Sequence, residues 1–256
     1  MATVASLWVG GPLGIVQKIC LSSFIHYGHK VYLYVYDMDM EVPEGVVKRN
    51  AEDIIPQSEV FTYHGQYAGF ADVFRYRMIQ KENLMWVDAD TICLSSYFFE
   101  DKDFVFIQES PTIIANGILK VPSDHPLIND LVEASSKTAK SIREIGDSHL
   151  PLNTWGSMGP LLLTELTKKY RVAHYAQPAE IVNVWNFAAE TVKCWDPKVG
   201  GRMFRKAREA ICATFFAGGL KMLNFDTNQP LPEDTLIRYF YDKYMNEVDK
   251  DKKYLA

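Results

Sequence analysis

The stretch that decides the fold is VASLWVGGPLGIVQKICLSSFIHYGHKVYLYVY, Val4 to Tyr36. It opens with a short apolar run, Val4 to Trp8, which ends in Val9-Gly10-Gly11-Pro12, the punctuation of a strand entering a tight loop. Leu13 to Tyr27 then places Ile15, Ile19, Ser22 and Ile25 at helical spacing and stops at Gly28. His29 to Tyr36 is β-branched and aromatic, the composition of a strand. Strand, helix and strand in that order predict a βαβ unit, hence an α/β fold with a parallel sheet and a right-handed crossover.

Working outward, Glu59 to Tyr63 (EVFTY) predicts a short strand, and Gly69 to Gln80 a helix with Phe70, Val73, Phe74, Arg77 and Met78 on one side. Leu84 to Val87 is an apolar run of strand length that ends abruptly in Asp88-Ala89-Asp90. Ligands of open α/β sheets sit outside the carboxyl ends of strands, so this carboxylate pair faces the expected site. Further strands are predicted at Phe104 to Gln108 and Ile113 to Val121, and helices at Pro126 to Ser136, Pro160 to Lys168 and Pro232 to Tyr244. The last opens with Pro-Glu-Asp, as a helix N-terminus should. Residues 137–158 and 174–202 carry no clear pattern; irregular segments of that length are often functional loops, and acceptor recognition is expected there.

At 256 residues with nearly half of them apolar, the chain is long enough for one α/β core. The net charge of −5 comes from interspersed signs with no polybasic face, which excludes a nucleic-acid partner as the expectation. The start, MATVASLWVGG, lacks the basic end and long apolar core of a signal peptide, and no transmembrane segment is expected. Cys20, Cys93, Cys194 and Cys212 are widely spaced in apolar surroundings, without a CxxC pair. They read as buried reduced thiols of a cytoplasmic protein, although a fragment cut from an anchor would look the same. The mixed-charge tail, Glu247 to Lys253, reads as solvated.

A DxD triplet alone says little, because Asp37-Met38-Asp39 and Asp249-Lys250-Asp251 are two more. The tail copy lies among lysines. Asp37 and Asp39 also follow a strand, but they lead into the polar turn Met40-Glu41-Val42-Pro43, whereas Asp88 and Asp90 sit between apolar runs beside Trp86. Two carboxylates about 4 Å apart in a partly buried site repel by roughly 4 kcal/mol, a cost that a cation between them removes. Hard divalent cations, Mn2+ or Mg2+, are bound by one or two carboxylates together with substrate phosphates, which makes Asp88 and Asp90 the candidate metal ligands. The structural alternative is a capping turn after a buried strand.

Three segments, SLWVGGPL, ADVFRYRMI and MWVDADTICL, resemble in order and spacing the GT-A-fold glycosyltransferases with a DXD sugar-binding region. That group includes yeast initiating mannosyltransferases, α-1,4-galactosyltransferases and, distantly, the catalytic domains of clostridial glucosylating toxins. A weaker echo runs through NGILKVPSDHPLI and WGSMGPLLLTEL. The resemblance implies a Rossmann-like nucleotide-binding GT-A fold and a metal-dependent hexosyltransferase. It also implies retention of anomeric configuration, a UDP-sugar donor in preference to a GDP-sugar, and a glycan or other hydroxyl acceptor. Trp8 would stack on the base, Asp72 and Arg75 of a DxxRY pattern would contact sugar and ribose, and Asp88 and Asp90 would hold ribose, metal and diphosphate. Gly10, Asn116 and Lys221 join the donor-binding residues, and Glu109 is placed near the anomeric carbon. Each has a plainer alternative: a core aromatic for Trp8, a surface i,i+3 ion pair for Asp72 with Arg75, and solvated side chains for Lys221 and Glu109.

One departure concerns the metal. Members often carry a histidine near the C-terminal end, where this chain has Ala213-Thr214-Phe215-Phe216-Ala217-Gly218-Gly219, so a third protein ligand is not apparent. The expected organisation is a single catalytic domain over 1–256, with a nucleotide-sugar-binding half (1–125) and an acceptor-side half (126–256). Two rival readings remain. A sugar nucleotidyltransferase would want a basic glycine-rich loop, and Gly10 to Gly14 has no basic cluster after it; a catalytically inactive nucleotide-sugar or glycan binder would explain the missing histidine.

Overall fold

The structure is a computed structural model and describes residues 1–146, 156–182, 184–185 and 187–246. The opening unit is β1 (Thr3–Trp8), α1 (Ile15–His26) and β2 (Lys30–Val35), with the strands parallel and paired from Thr3 opposite Lys30 to Trp8 opposite Val35. Successive side chains of a strand take opposite faces. On β2, Tyr32 and Tyr34 enter one apolar cluster and Val31, Leu33 and Val35 another. Because both faces are covered, the strand reads as an unbroken apolar run.

β3 (Val47–Asn50) extends the sheet in parallel beyond β2, and β4 (Met85–Val87) joins β1 in parallel on its other side. Beyond β4 come β7 (Ile113–Lys120) and β6 (Val105–Ser110), each antiparallel to its neighbour, and then β8 (Ala176–Gln177), parallel to β6. The seven-stranded order is β3-β2-β1-β4-β7-β6-β8, a mixed, mostly parallel sheet flanked by helices, as the opening pattern predicts. On one face lie α2 (Ala68–Glu82), α3 (Pro126–Ile145) and α4 (Pro160–Lys169). Over the other lies α1, backed by α8 (Leu236–Met245). A third apolar cluster joins α1 and α8 to Trp185, Trp195 and Phe215.

One excursion from the sheet positions the site. β5 (Thr91–Cys93) leaves the main sheet and pairs antiparallel with β9 (Cys212–Thr214), so a segment more than a hundred residues downstream is laid beside the Asp88-Ala89-Asp90 turn. Between and after these strands come the short helices α5 (Ala188–Thr191), α6 (Gly200–Glu209) and α7 (Ala217–Met222).

Several local expectations need correction. EVFTY forms no strand: Gln57–Glu59 is a 3-10 turn, and Phe61 and Tyr63 enter the core from irregular chain. Alternation cannot distinguish that from a strand. The strand that does form, β3, was missed because VKRN is a polar edge strand with one partner. α3 runs nine residues past Ser136, to Ile145; its Ser- and Lys-rich second half keeps Ser135, Ala139 and Ile142 buried at helical spacing. α8 starts at Leu236 instead of Pro232, because Thr235 is its N-cap. Residues 147–155, part of the expected acceptor region, lie outside the described residues, as does the 247–256 tail with its DxD copy. All four cysteines are free and buried, and burial raises every thiol above its ordinary pKa. No helix among the described residues is long and apolar enough to cross a membrane.

The Thr235 cap gives a test of how α8 is held. Its fully buried hydroxyl accepts from Arg238 N (3.3 Å) and donates to Pro232 O (2.7 Å). Thr235→Ala should therefore cost about 1–2 kcal/mol of unfolding free energy in urea, and Thr235→Ser should recover most of it.

Candidate active site

β4 and β1 are parallel neighbours, so Asp88 and Trp8 leave the sheet at the same edge. Asp88 is anchored on both sides: its N–H donates to Gly117 O (2.8 Å) and its carbonyl accepts from Thr91 N (2.9 Å). Asp90 is held by the downstream segment. Its carbonyl accepts from Phe215 N (2.9 Å), and its carboxylate Oδ2 accepts from Ala217 N (2.7 Å). The segment Ala213 to Gly219, which has no histidine, thus contributes backbone N–H groups. Among the described residues, no group of three His, Cys, Asp or Glu side chains could hold a metal.

The face of α2 turned to this edge carries Asp72, Arg75 and Tyr76, all buried, which rules out the surface ion pair as the reading of this helix. Arg75 is the hub. Its guanidinium contacts Asp72 Oδ1 (3.1 Å) and Asp88 Oδ1 (3.2 Å), donates to the carbonyls of Asn116 and Ala71, and lies 4.9 Å from the Trp86 ring centroid. Trp86 Nε1 donates to the same Asp88 oxygen (2.8 Å). Asn116 Nδ2 donates to Asp72 Oδ1 (2.8 Å) and Tyr76 Oη (3.1 Å), and Tyr76 donates on to Gly159 O (3.4 Å).

These carboxylates are not at ease. Burial pushes Asp72 up to about 6 although Arg75 and Asn116 pull the other way, so desolvation outweighs the pairing. Burial, and next the neighbouring charge of Asp88, pushes Asp90 up to about 6 against the Ala217 N–H. Burial works against the Arg75 charge, but Asp88 and Asp72 hold its pKa above the ordinary value.

Two cavities meet at this edge. The smaller, about 500 Å³, is lined by Asp72, Asn116 and Glu109; the larger, about 760 Å³, by Trp8, Gln17, Tyr67 and Lys221. Arg75, Asp88 and Asp90 line both, which puts the carboxylate pair at the junction. Trp8 is partly buried, with Nε1 donating to Gly11 O (2.8 Å). Lys221 is exposed at the rim. Glu109 is exposed too, yet the walls around its carboxyl raise its pKa above the ordinary value. Gly10, at φ +115°, lines neither cavity. Asp37 and Asp39 are exposed, remote from both cavities, and closed in a local turn in which Asp39 N donates to Asp37 Oδ1 (2.9 Å).

Two glycines escaped the sequence reading. A Cβ on Gly117 would come within 2.8 Å of Asp88 Oδ2, and one on Gly159 within 2.5 Å of Asp72 Oδ2. Gly117 carried a weak signal, since a glycine inside a strand often marks a close approach. Gly159 carried none.

The raised Asp90 pKa makes a signed prediction. A carboxyl whose folded pKa exceeds its unfolded one binds its proton more tightly in the fold, so stability falls as pH rises from about 4 to about 6. Asp90→Asn keeps the acceptor for Ala217 N and removes the charge. It should stabilise the ligand-free protein at pH 7 by up to about 3 kcal/mol, with the gain vanishing near pH 4, as read from urea midpoints across pH.

The sequence matches no protein-family model and no curated protein. Among solved structures, the chain is similar to one titled PaToxG Glycosyltransferase, at 15% identity over 66% of this chain and 69% of that one, with a TM-score of 0.46.

Proposed function

We propose that this protein is a GT-A-type glycosyltransferase that moves a hexose from a nucleoside-diphosphate sugar, a UDP-sugar before a GDP-sugar, to a hydroxyl acceptor. The observation that carries this reading is the position of Asp88 and Asp90 at the junction of the two cavities, one faced by the Trp8 indole and the other by Asp72, Asn116 and Glu109. A nucleotide fits the larger space, with the indole as an apolar face for the base. The sugar and acceptor fit the smaller one, with the diphosphate between them.

The donor set suits a divalent cation that is completed by substrate. Burial and the neighbouring charge of Asp88 raise the cost of ionising Asp90, and hard cations of the Mn2+ and Mg2+ kind are commonly held by one or two carboxylates plus phosphate oxygens. The hydrogen bonds to Asp88 fall on Oδ1 and that to Asp90 on Oδ2, so each offers its other oxygen. When bound, the cation would neutralise charge on the leaving diphosphate. In the transfer, the bond from the anomeric carbon to the diphosphate oxygen breaks, the acceptor oxygen bonds to that carbon, and the acceptor proton passes to the departing diphosphate. Arg75, Asp72 and Asn116 orient the sugar hydroxyls, and Lys221 meets the phosphate from the rim. Retention follows if the acceptor enters on the diphosphate side, leaving Glu109 to position the acceptor hydroxyl or stabilise charge at the anomeric carbon.

A second reading, a nucleotide-sugar binder without turnover, is favoured by one observation. Arg75 and Trp86 already satisfy one oxygen of Asp88 without a cation.

The metal bridge is tested by thermal unfolding with UDP. With manganese, UDP at about a hundredfold over its dissociation constant should add about 2.7 kcal/mol of stability. With EDTA it should add little, because the diphosphate then meets bare carboxylates. Asp90→Asn should lose the manganese-dependent gain and Asp37→Asn should keep it; equal shifts with EDTA and manganese would remove the metal from the account.

A further inference from the structure

The larger cavity contains a side chain that the proposed chemistry leaves unused. Gln17 lies in the first turn of α1, three residues after Gly14, which caps that helix without a side-chain bond. It is 6% exposed and lines the cavity, yet its carboxamide makes no hydrogen bond to any described residue. Its polar atoms are not among those sealed from both solvent and partners, so the amide opens on the cavity. Folded proteins seldom leave a buried amide without a partner unless a ligand or water supplies one.

The carboxamide has a direction. A Cβ on Gly14 would sit 2.7 Å from Gln17 Oε1 and 3.3 Å from Asn228 Oδ1. The oxygen therefore turns back to the start of the helix, the direction in which a Glu or Gln at the third helical position commonly reaches. The amide nitrogen, with two N–H donors, is left to the cavity. Gln17 is also tied to the carboxylates by one continuous wall. Ala217 N holds Asp90, α7 follows, and the chain reaches Asn228, whose Oδ1 accepts from Ile15 N (3.2 Å) at the head of α1. A diphosphate at Asp88 and Asp90 would thus direct the nucleoside along this wall, past Trp8, to a place where Gly14, Gln17 and Asn228 offer neutral groups, with the Asp226 carboxylate beside them accepting from Asn228 N.

Resting on the nucleoside-diphosphate reading above, we propose that Gln17 is a specificity-determining residue that reads the nucleobase by donating from its amide nitrogen to an exocyclic carbonyl. Uracil, guanine and cytosine present such a carbonyl; adenine does not. Adenine carries an amino group, itself a donor, where uracil and guanine carry a carbonyl, and its ring nitrogens lie back from the ring edge. An amide nitrogen placed for a carbonyl oxygen therefore meets a donor there, which is how a hydrogen-bonding site rejects an analogue.

The test compares binding of UDP and ADP, with manganese, to the wild type, Gln17→Glu and Gln17→Leu by titration calorimetry. Glu keeps the acceptor that turns back to Gly14, so the fold should stand with an unchanged Tm, but it exchanges the donor for a carboxylate. The wild type should bind UDP about tenfold or more tighter than ADP, and both variants should lose about that factor for UDP while ADP changes by less than about twofold. An unchanged UDP-to-ADP ratio in the variants, whether affinity holds or falls for both nucleotides alike, would overturn the role of Gln17 while leaving the donor reading in place. A wild type that binds neither nucleotide would overturn the donor reading and this one with it.

Discussion

Burying one guanidinium between two carboxylates joins three elements at a single point: α2 through Asp72, β4 through Asp88, and β7 through the Asn116 carbonyl. The rest of the site depends on that point. Such a pair is a poor source of net stability, because desolvation consumes most of the attraction, but removing one partner typically costs about 3–5 kcal/mol since the other charge is left buried. The arrangement is better understood as a positional constraint. It leaves Asp88 little freedom, it draws Asn116 and Tyr76 into a shared network, and it requires Gly117 and Gly159 where Asp88 and Asp72 press against the backbone.

Asp90 is constrained differently. Its carbonyl and carboxylate accept from Phe215 and Ala217, residues delivered by the pairing of β5 with β9. The two carboxylates of one turn are therefore held by different parts of the chain: Asp88 by elements close in sequence, Arg75 of α2 and Gly117 of β7, and Asp90 by a segment more than a hundred residues downstream. The raised pKa of Asp90 is the energetic trace of that closure, a buried charge that repels its neighbour and is relieved by protonation or by a cation. A buried charge of this kind is a local cost to the fold, of the sort that tends to be retained at functional sites.

Much of this was legible in the sequence where burial and period coincide. The βαβ unit and β4 were legible because their apolar runs end in sharp punctuation, Gly10-Gly11-Pro12 and Asp88-Ala89-Asp90. Choosing Asp88 and Asp90 over Asp37 and Asp39 rests on flanking apolar residues; in the structure Asp37 and Asp39 are exposed in a local turn. What could not be read was long-range. No local signal says that Ala217 N meets Asp90, that Asn228 caps α1 or that Gly159 makes room for Asp72. Edge strands and irregular core chain are misread for a related reason: VKRN takes its strand from a single neighbour, and Phe61 and Tyr63 are buried outside any strand, Tyr63 making only an isolated bridge to Gln66.

The central claim is that the cavity junction at Asp88 and Asp90 is where a sugar leaves a nucleoside diphosphate. It is tested most directly by incubating the purified protein with a panel of UDP- and GDP-sugars and measuring the free nucleoside diphosphate released, with manganese and with EDTA. Water taking the place of the acceptor would release the same diphosphate. The account predicts release of UDP from at least one UDP-sugar with manganese and its loss with EDTA. A protein that binds UDP-sugars with manganese but releases no diphosphate from any of them, with or without a hydroxyl acceptor, would contradict it.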